Sequence, residues 1–468
     1  MPHPAGRQRQ LHLNAFLMNV GHHEAAWRHP LSDPQRGTSL AHYVELAQLA
    51  ERGLLDSIFF ADGLYAGPSL RYNAPQPLDP FSLLFAIAAR TEQIGLISTV
   101  STTYTYPYDV ARKFATLDHL SGGRAGWNIV TSGSGPEADN FDPIPRLTHA
   151  ERYAKSDEYV RLAKALWDSW EDGAIVADQA AGLYADTDRI HPVDHHGDWF
   201  GVRGPLNVPR TPQGWPLLVQ AGSSEDGKRF AAQHAEAVFT AHQTLESAQE
   251  FYADLKARTV AQGRDPDAIK VLPGVVPFIA ETEQEAYELR AQLDGLINPE
   301  YALRQLAILA DYPAAVDLPL DEPFPDLRAH LDSVQNNQSR SRLIVELALR
   351  RGLTTRQLLG ELGGGRGHFV FAGTPAQLAD HLQRWFEQGA ADGFNIMAPL
   401  LPFTLERFVD QVVPILQARG LFRTAYEGAT LRDRYGLPRP ASHQQALPRG
   451  GGWGPDGGAR ARTRGGGG

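Results

Sequence analysis

SGGRAGWNIVTSGSG, residues 121–135, decides how the rest of the chain is read. Its middle, RAGWNIVTS (124–132), has the apolar run of a buried strand, framed by a double glycine and by Thr-Ser-Gly-Ser-Gly. Successive residues of a strand face opposite sides. Ala125, Trp127 and Ile129 then form one face, bulky and apolar, suited to packing on helices. Gly126, Asn128 and Val130 form the other, where Gly126 leaves space and Asn128 offers one acceptor and two donors. A buried amide needs partners. Either polar neighbours in a barrel core or a heteroaromatic ring with carbonyl and N–H edges would satisfy it.

The same rhythm runs outward in both directions. Strand patterns cover 11–20, 56–63, 94–104, 215–224, 236–244, 269–280 and 393–400. Helical periodicity covers 39–53, 79–93, 107–123, 149–171, 225–235, 247–263, 374–389 and 404–420, with Asp79-Pro80 as an N-cap and first position. Strands alternating with helices predict a parallel sheet. Eight such units predict an α/β fold, a (β/α)8 TIM barrel over residues 1–440, with insertions at about 172–214 and 281–368. On pattern alone an open doubly wound sheet competes with it. Residues 441–468, LPRGGGWGPDGGARARTRGGGG in their larger part, predict a disordered Gly/Arg-rich tail.

Of 468 residues, 42% are hydrophobic and 21% charged, the usage of an ordinary globular chain. Net charge is −10; residues 441–468 hold four Arg and one Asp, leaving −13 for the rest. That balance carries no basic nucleic-acid footprint. No run reaches the roughly 18–20 apolar residues of a membrane helix. LHLNAFLMNV (11–20) is interrupted by His12, Asn14 and Asn19 and reads as a first strand, not a secretory signal. The absence of cysteine excludes disulfides, thiolate metal sites and Cys nucleophiles, and is compatible with a reducing cytosol.

Polar residues gather at predicted strand ends, the active face of such barrels. Asp62 ends the second strand, Ser98 and Thr99 the third, and Gly222, Ser223 and Ser224 the fifth. Gly-Ser-Ser at a helix start offers free N–H groups and hydroxyls to a phosphate; plain N-capping by Ser224 is the alternative. His149 and Tyr153, four apart, share one helix face. His22 and His23 follow the first strand and belong at the mouth. The His- and Asp-rich run 186–198 matches no zinc spacing and reads as a polar loop. GGGRG (363–367) lacks the Lys-Ser/Thr ending of a phosphate loop and reads as a flexible hinge.

WRHP (27–30), FFADG (59–63), STVSTTY (98–104), HLSGGRAGWNIVTS (119–132), HAERY (149–153), QAGSSEDG (220–227), FAGTP (371–375), ADGFNIM (391–397) and GLPRP (436–440) carry a resemblance. With them the chain resembles the bacterial-luciferase-like FMN-dependent monooxygenases of the nitrilotriacetate monooxygenase component A type, over roughly residues 10–440. The resemblance implies a barrel that binds FMN. Asp62, Thr99, Asn128, His149, Tyr153 and Ser224 fall on flavin-contacting positions, with Ser223 in the same phosphate turn. It implies reduced, diffusible FMN from a separate NAD(P)H:FMN reductase, O2 as co-substrate, and a 4a-peroxyflavin that oxidises a C–N or C–S bond of a small organic substrate. No acid–base set stands out; His22 is the candidate catalytic residue, beside a structural polar role. A cytoplasmic homodimer or tetramer without nucleic-acid or membrane partners is expected, with 281–368 as a lid. A deazaflavin-dependent oxidoreductase, a metal-dependent barrel hydrolase using 186–198, and a flavin binder without turnover remain open.

Overall fold

A computed structural model describes residues 9–133, 135–141, 146–333 and 338–442. Strands β1 (His12–Leu17), β2 (Ser57–Phe60), β3 (Gly95–Ser101), β4 (Ala125–Val130), β5 (Leu217–Gln220), β6 (Ala237–Thr240), β7 (Lys270–Ile279) and β8 (Gly393–Ile396) each pair in parallel with the next. β8 returns to β1 and the β6–β7 pairing closes the ring. The fold is thus the expected closed barrel, with helices packed outside.

The stretch 121–135 shows how this sequence builds the wall. Helix Pro107–Ser121 ends at Gly122, whose φ of 68° turns its N–H back to the carbonyls of Asp118 and His119. Gly123 continues the turn at φ 91°, and a Cβ there would lie 2.7 Å from Thr430 Cγ2. Arg124 is buried without a carboxylate. Its guanidinium donates to the carbonyls of Ala88, Thr91, Ile94 and Ser121 and to Thr91 Oγ1, binding the C-terminal end of helix Pro80–Ala88 to the barrel. Burial pulls its pKa down to about 10.

Trp127 faces outward and is fully buried. Its ring lies 5.7 Å from Phe114, 5.7 Å from Tyr159 and 6.3 Å from Trp167, all on outer helices. Its indole N–H donates to the Val100 carbonyl at 3.1 Å. Inside the barrel, Phe16, Phe59 and Phe239 form an aromatic layer, with centroids 4.7–5.9 Å apart. Beneath it Asn14 Oδ1 accepts from Ser57 at 2.8 Å and Tyr435 at 3.0 Å, while Asn14 Nδ2 donates to Asn395 at 3.2 Å. Tyr435 and Leu431 come from the C-terminal segment and plug this end.

Both insertions are structured. Residues 172–214 carry two small hairpins. The histidines of 186–198 are held separately: His191 by Glu171 at 2.8 Å and His195 by Glu158 at 3.0 Å. Glu158 also accepts the N–H groups of Asp198, Trp199 and Phe200, so it fixes the loop. Among the described residues no three His, Asp or Glu side chains converge as a metal site. In the second insertion, helix Glu283–Gly295 packs its Leu289 and Leu293 with the barrel cluster, while helices Pro299–Leu309, Gln338–Arg351 and Thr355–Gly365 surround an apolar core of their own.

The expected hinge at 363–367 is something else. Gly363–Gly365 are the buried last turn of helix Thr355–Gly365, and a Cβ on Gly363 would sit 2.6 Å from Ile297 Cδ1. The glycines permit close packing. The chain turns at Arg366 (φ 49°) and enters an outer strand, Phe369–Gly373, which pairs with the second half of β7 from Val275↔Phe369 to Ile279↔Gly373. The sequence pattern left 369–373 unassigned between the insertion, ending at 368, and the helix starting at 374. Of the expected tail, residues 443–468 lie outside the described residues. No described helix is long and apolar enough to cross a membrane.

Candidate active site

The C-terminal ends of β3, β4 and β5 bring most of the expected site residues together. Thr99 and Asn128 are register partners, and both face the interior. Thr99 Oγ1 donates to the Phe60 carbonyl at 2.8 Å and accepts from Asn128 Nδ2 at 2.9 Å. One half of the amide is therefore spent inside the barrel, as a core role requires. The other half is not: Asn128 Oδ1 is buried without a partner. A lone buried acceptor costs of order 1–3 kcal/mol until a ligand or an ordered water satisfies it. Ser98, its neighbour in sequence, is fully buried on the opposite side of β3.

β5 runs through Gly222 and Ser223 into helix Glu225–His234. Ser224 caps that helix, its hydroxyl accepting from Gly227 N–H at 3.1 Å, and Ser223 is exposed beside it. Capping and ligand contact are compatible, because the first N–H groups of a helix lack internal partners. Tyr153 reaches this turn; its hydroxyl lies where a Cβ on Gly222 would be 2.9 Å away, with Ser224 and Thr131 near, and burial raises its pKa. His149 lies on the same helix face, 5.0 Å from the Tyr153 ring, and its Nδ1 meets Asp226 Oδ2 at 2.9 Å. The helix pair is thus latched where Gly222–Ser224 opens to solvent. Gln220 Oε1 is a second buried acceptor without a partner here.

Asp62 stands beyond β2, its Oδ1 accepting from Gly63 N–H at 2.9 Å. It is exposed at the rim, and partial desolvation there, with Asp79 and Glu137 nearby, pushes its pKa up to about 6. His22 is buried across the mouth from β4, with its ring 5.4 Å from Phe16. His23 is committed to structure: Nε2 meets Asp294 Oδ1 at 3.1 Å, Nδ1 accepts from Ala25 N–H, and burial lowers its pKa. Sequence reasoning missed two groups. His368 stacks on Phe239 at 4.8 Å, in space left by Gly274, where a Cβ would lie 2.5 Å from His368 Nδ1. A glycine inside an apolar strand was the available signal. Glu24, following the paired histidines, has its carboxyl in a cavity under the second insertion, and burial pushes it up to about 7.

Comparison with known proteins agrees with this architecture. A family model described as luciferase-like monooxygenase matches residues 18–392. N-acetyl-S-(2-succino)cysteine monooxygenase of Bacillus subtilis (strain 168) is 48% identical over 439 residues, 93% of this chain and 98% of that one. Nitrilotriacetate monooxygenase component A of Aminobacter aminovorans is 45% identical over 447 residues, again 93% and 98%. A riboflavin lyase solved with modified FMN and riboflavin superposes with a TM-score of 0.81 at 30% identity, over 92% of this chain and 97% of that one. Barrel, polar mouth and matches along nearly the whole length lead to one conclusion: this chain belongs to the luciferase-like monooxygenase family, and within it to the nitrilotriacetate component A type.

Proposed function

We propose that the protein is the oxygenating half of a two-component flavin monooxygenase, acting in the cytoplasm on a small organic molecule at a C–N or C–S bond. The observation that carries this reading is the unpartnered Oδ1 of Asn128, buried at the mouth beside Thr99. It fits the N–H edge of an isoalloxazine. The opening at Gly222–Ser224, with exposed Ser223 and the unpaired N–H groups of a ten-residue helix, fits the phosphate of FMN. Reduced FMN, delivered by a separate NAD(P)H:FMN reductase, supplies the electrons that activate O2.

The chain's own residues then position and shield. Asn128 orients the ring, and Thr99 holds Asn128 by spending its own proton on Phe60. Ser223, Ser224 and the helix N-terminus fix the phosphate, and His149 and Tyr153 close its side. Asp62 lies at the ring's edge, in a setting that favours its protonated form near neutral pH more than is usual for a carboxyl. The Phe16–Phe59–Phe239 layer keeps water out from below. His22 faces the oxidised molecule from β1.

Fluorescence titration tests this. FMN is expected to bind, and more tightly than a deazaflavin. Asn128→Leu is expected to weaken FMN about tenfold, the loss of roughly one hydrogen bond, with an unchanged melting transition. Oxygen uptake on a panel of amines, thioethers and sulfones should require both the reductase and FMN. An absence of FMN binding, or an Asn128→Leu variant that binds as the parent does, overturns the reading.

A further inference from the structure

Across the mouth from Asn128, between the loop after β1 and the second insertion, lies a cavity of about 210 Å³. Its barrel side is polar, with Glu24 and Arg366; its insertion side is a wall of Leu306, Leu309, Leu359 and Leu362. Glu24 is drawn in by main-chain contact, its N–H donating to the Gly363 carbonyl at 2.9 Å, and the bare Cα of Gly363 makes room for its side chain. Glu24 Oε1 is buried and has no hydrogen-bond partner. The cavity adjoins the loop after β1: Arg366, which lines it, also donates to Met18 Sδ, just past that strand, and Gly364, next to the lining Gly363, lies against His23 and Phe278.

We propose that this cavity is the substrate pocket and that Glu24 selects a molecule with a cationic amine head and an apolar body of several carbons. The proposal rests on the flavin reading for its place in the reaction, though not for the binding itself. An ammonium gives the lone acceptor its missing donor and a counter-charge. A carboxylate head would instead meet Glu24 and, behind it, Asp294, with Arg366 as the opposing cation of the lining. The four leucines give hydrocarbon its place, and Gln305, Asn73 and Tyr301 are the neutral polar side chains that also line the cavity. A second cavity, of about 320 Å³, shares Glu24 and Tyr301 and extends the pocket past Trp27.

The charged and titratable groups around Glu24 are Arg366, Asp294 with its partners His23 and Arg290, Tyr301, and, in the second cavity, Arg28 and Arg71. Burial of Glu24 outweighs Arg366 and pushes its pKa up to about 7. Alkylammonium binding should therefore strengthen roughly tenfold from pH 6 to pH 8, as the carboxylate forms while the amine stays charged.

The test is calorimetric titration of the flavin-free, full-length protein with hexylamine, 1-hexanol and hexanoate. Hexylamine is expected to bind at pH 8 at least about tenfold more tightly than hexanoate, a difference of ~1.4 kcal/mol. Glu24→Gln should remove that preference while changing 1-hexanol affinity less than about threefold. Leu306→Trp, which fills the cavity, should abolish binding of all three, and melting curves show that both variants fold. Hexylamine binding no tighter than hexanoate, or unmoved by both substitutions, overturns the proposal. An FMN titration of the same preparation separates the two ideas, because its failure sinks the flavin reading and leaves the amine result standing.

Discussion

Asp62 is the residue where the site's electrostatics are easiest to measure. Its side chain keeps solvent exposure, yet partial desolvation at the mouth, with Asp79 and Glu137 near, holds its carboxyl up to about 6. In the unfolded chain it releases its proton near pH 4. Between those values the folded state binds the extra proton, so this group's contribution to stability falls as pH rises through the window and is constant above it. Asp62→Asn removes the term. The melting temperature of the variant relative to the parent is expected to be higher at pH 7 than at pH 4.5. A difference that does not move with pH would mean that the carboxyl titrates normally. At this scale much of the site was legible from sequence, because Asn128 sits mid-strand on a face whose neighbours leave it space. Glu24 and His368 were not. Nothing local distinguishes either; each matters only because a distant segment, Gly363 for one and Gly274 for the other, leaves room for it.

Among the elements, β4 carries the heaviest packing. Trp127 joins helices Pro107–Ser121 and His149–Trp167 through Phe114, Tyr159 and Trp167. Trp127→Ala is expected to cost about 3–5 kcal/mol in urea denaturation, with no direct effect on the mouth, since the side chain faces away from it. A loss under about 1 kcal/mol would show that the helices repack freely. The two faces of β4 were readable because a period of two holds without a break from Ala125 to Val130. The outer strand Phe369–Gly373 was not. Its residues are mostly half-buried, so no clean alternation appears, and it runs directly into the Thr374-Pro375 helix start. Its partner is the second half of β7, and a ten-residue strand in sequence gives no sign that its far end leaves the ring.

For the whole molecule, the second insertion leaves the barrel after β7 and returns through the outer strand Phe369–Gly373, so both its ends meet in one ladder. Hydrogen exchange is expected to show the amides of Phe369–Gly373 protected to the level of the barrel strands, with helices Pro299–Leu309 and Gln338–Arg351 exchanging sooner. Fast exchange of the outer strand would mean that the base of the insertion opens readily. If it stays shut, any swing of 281–368 as a lid has to pivot beyond the five-residue ladder from Val275 to Ile279, which ties both ends of the insertion to the barrel. The opposite rim is a second way in. There Ser223 is open to solvent and His149 stands half exposed at the head of its helix. On the proposed reading, a nucleotide arriving by that route would go in ring first and leave its charged end at the doorstep, within reach of whatever protein handed it over.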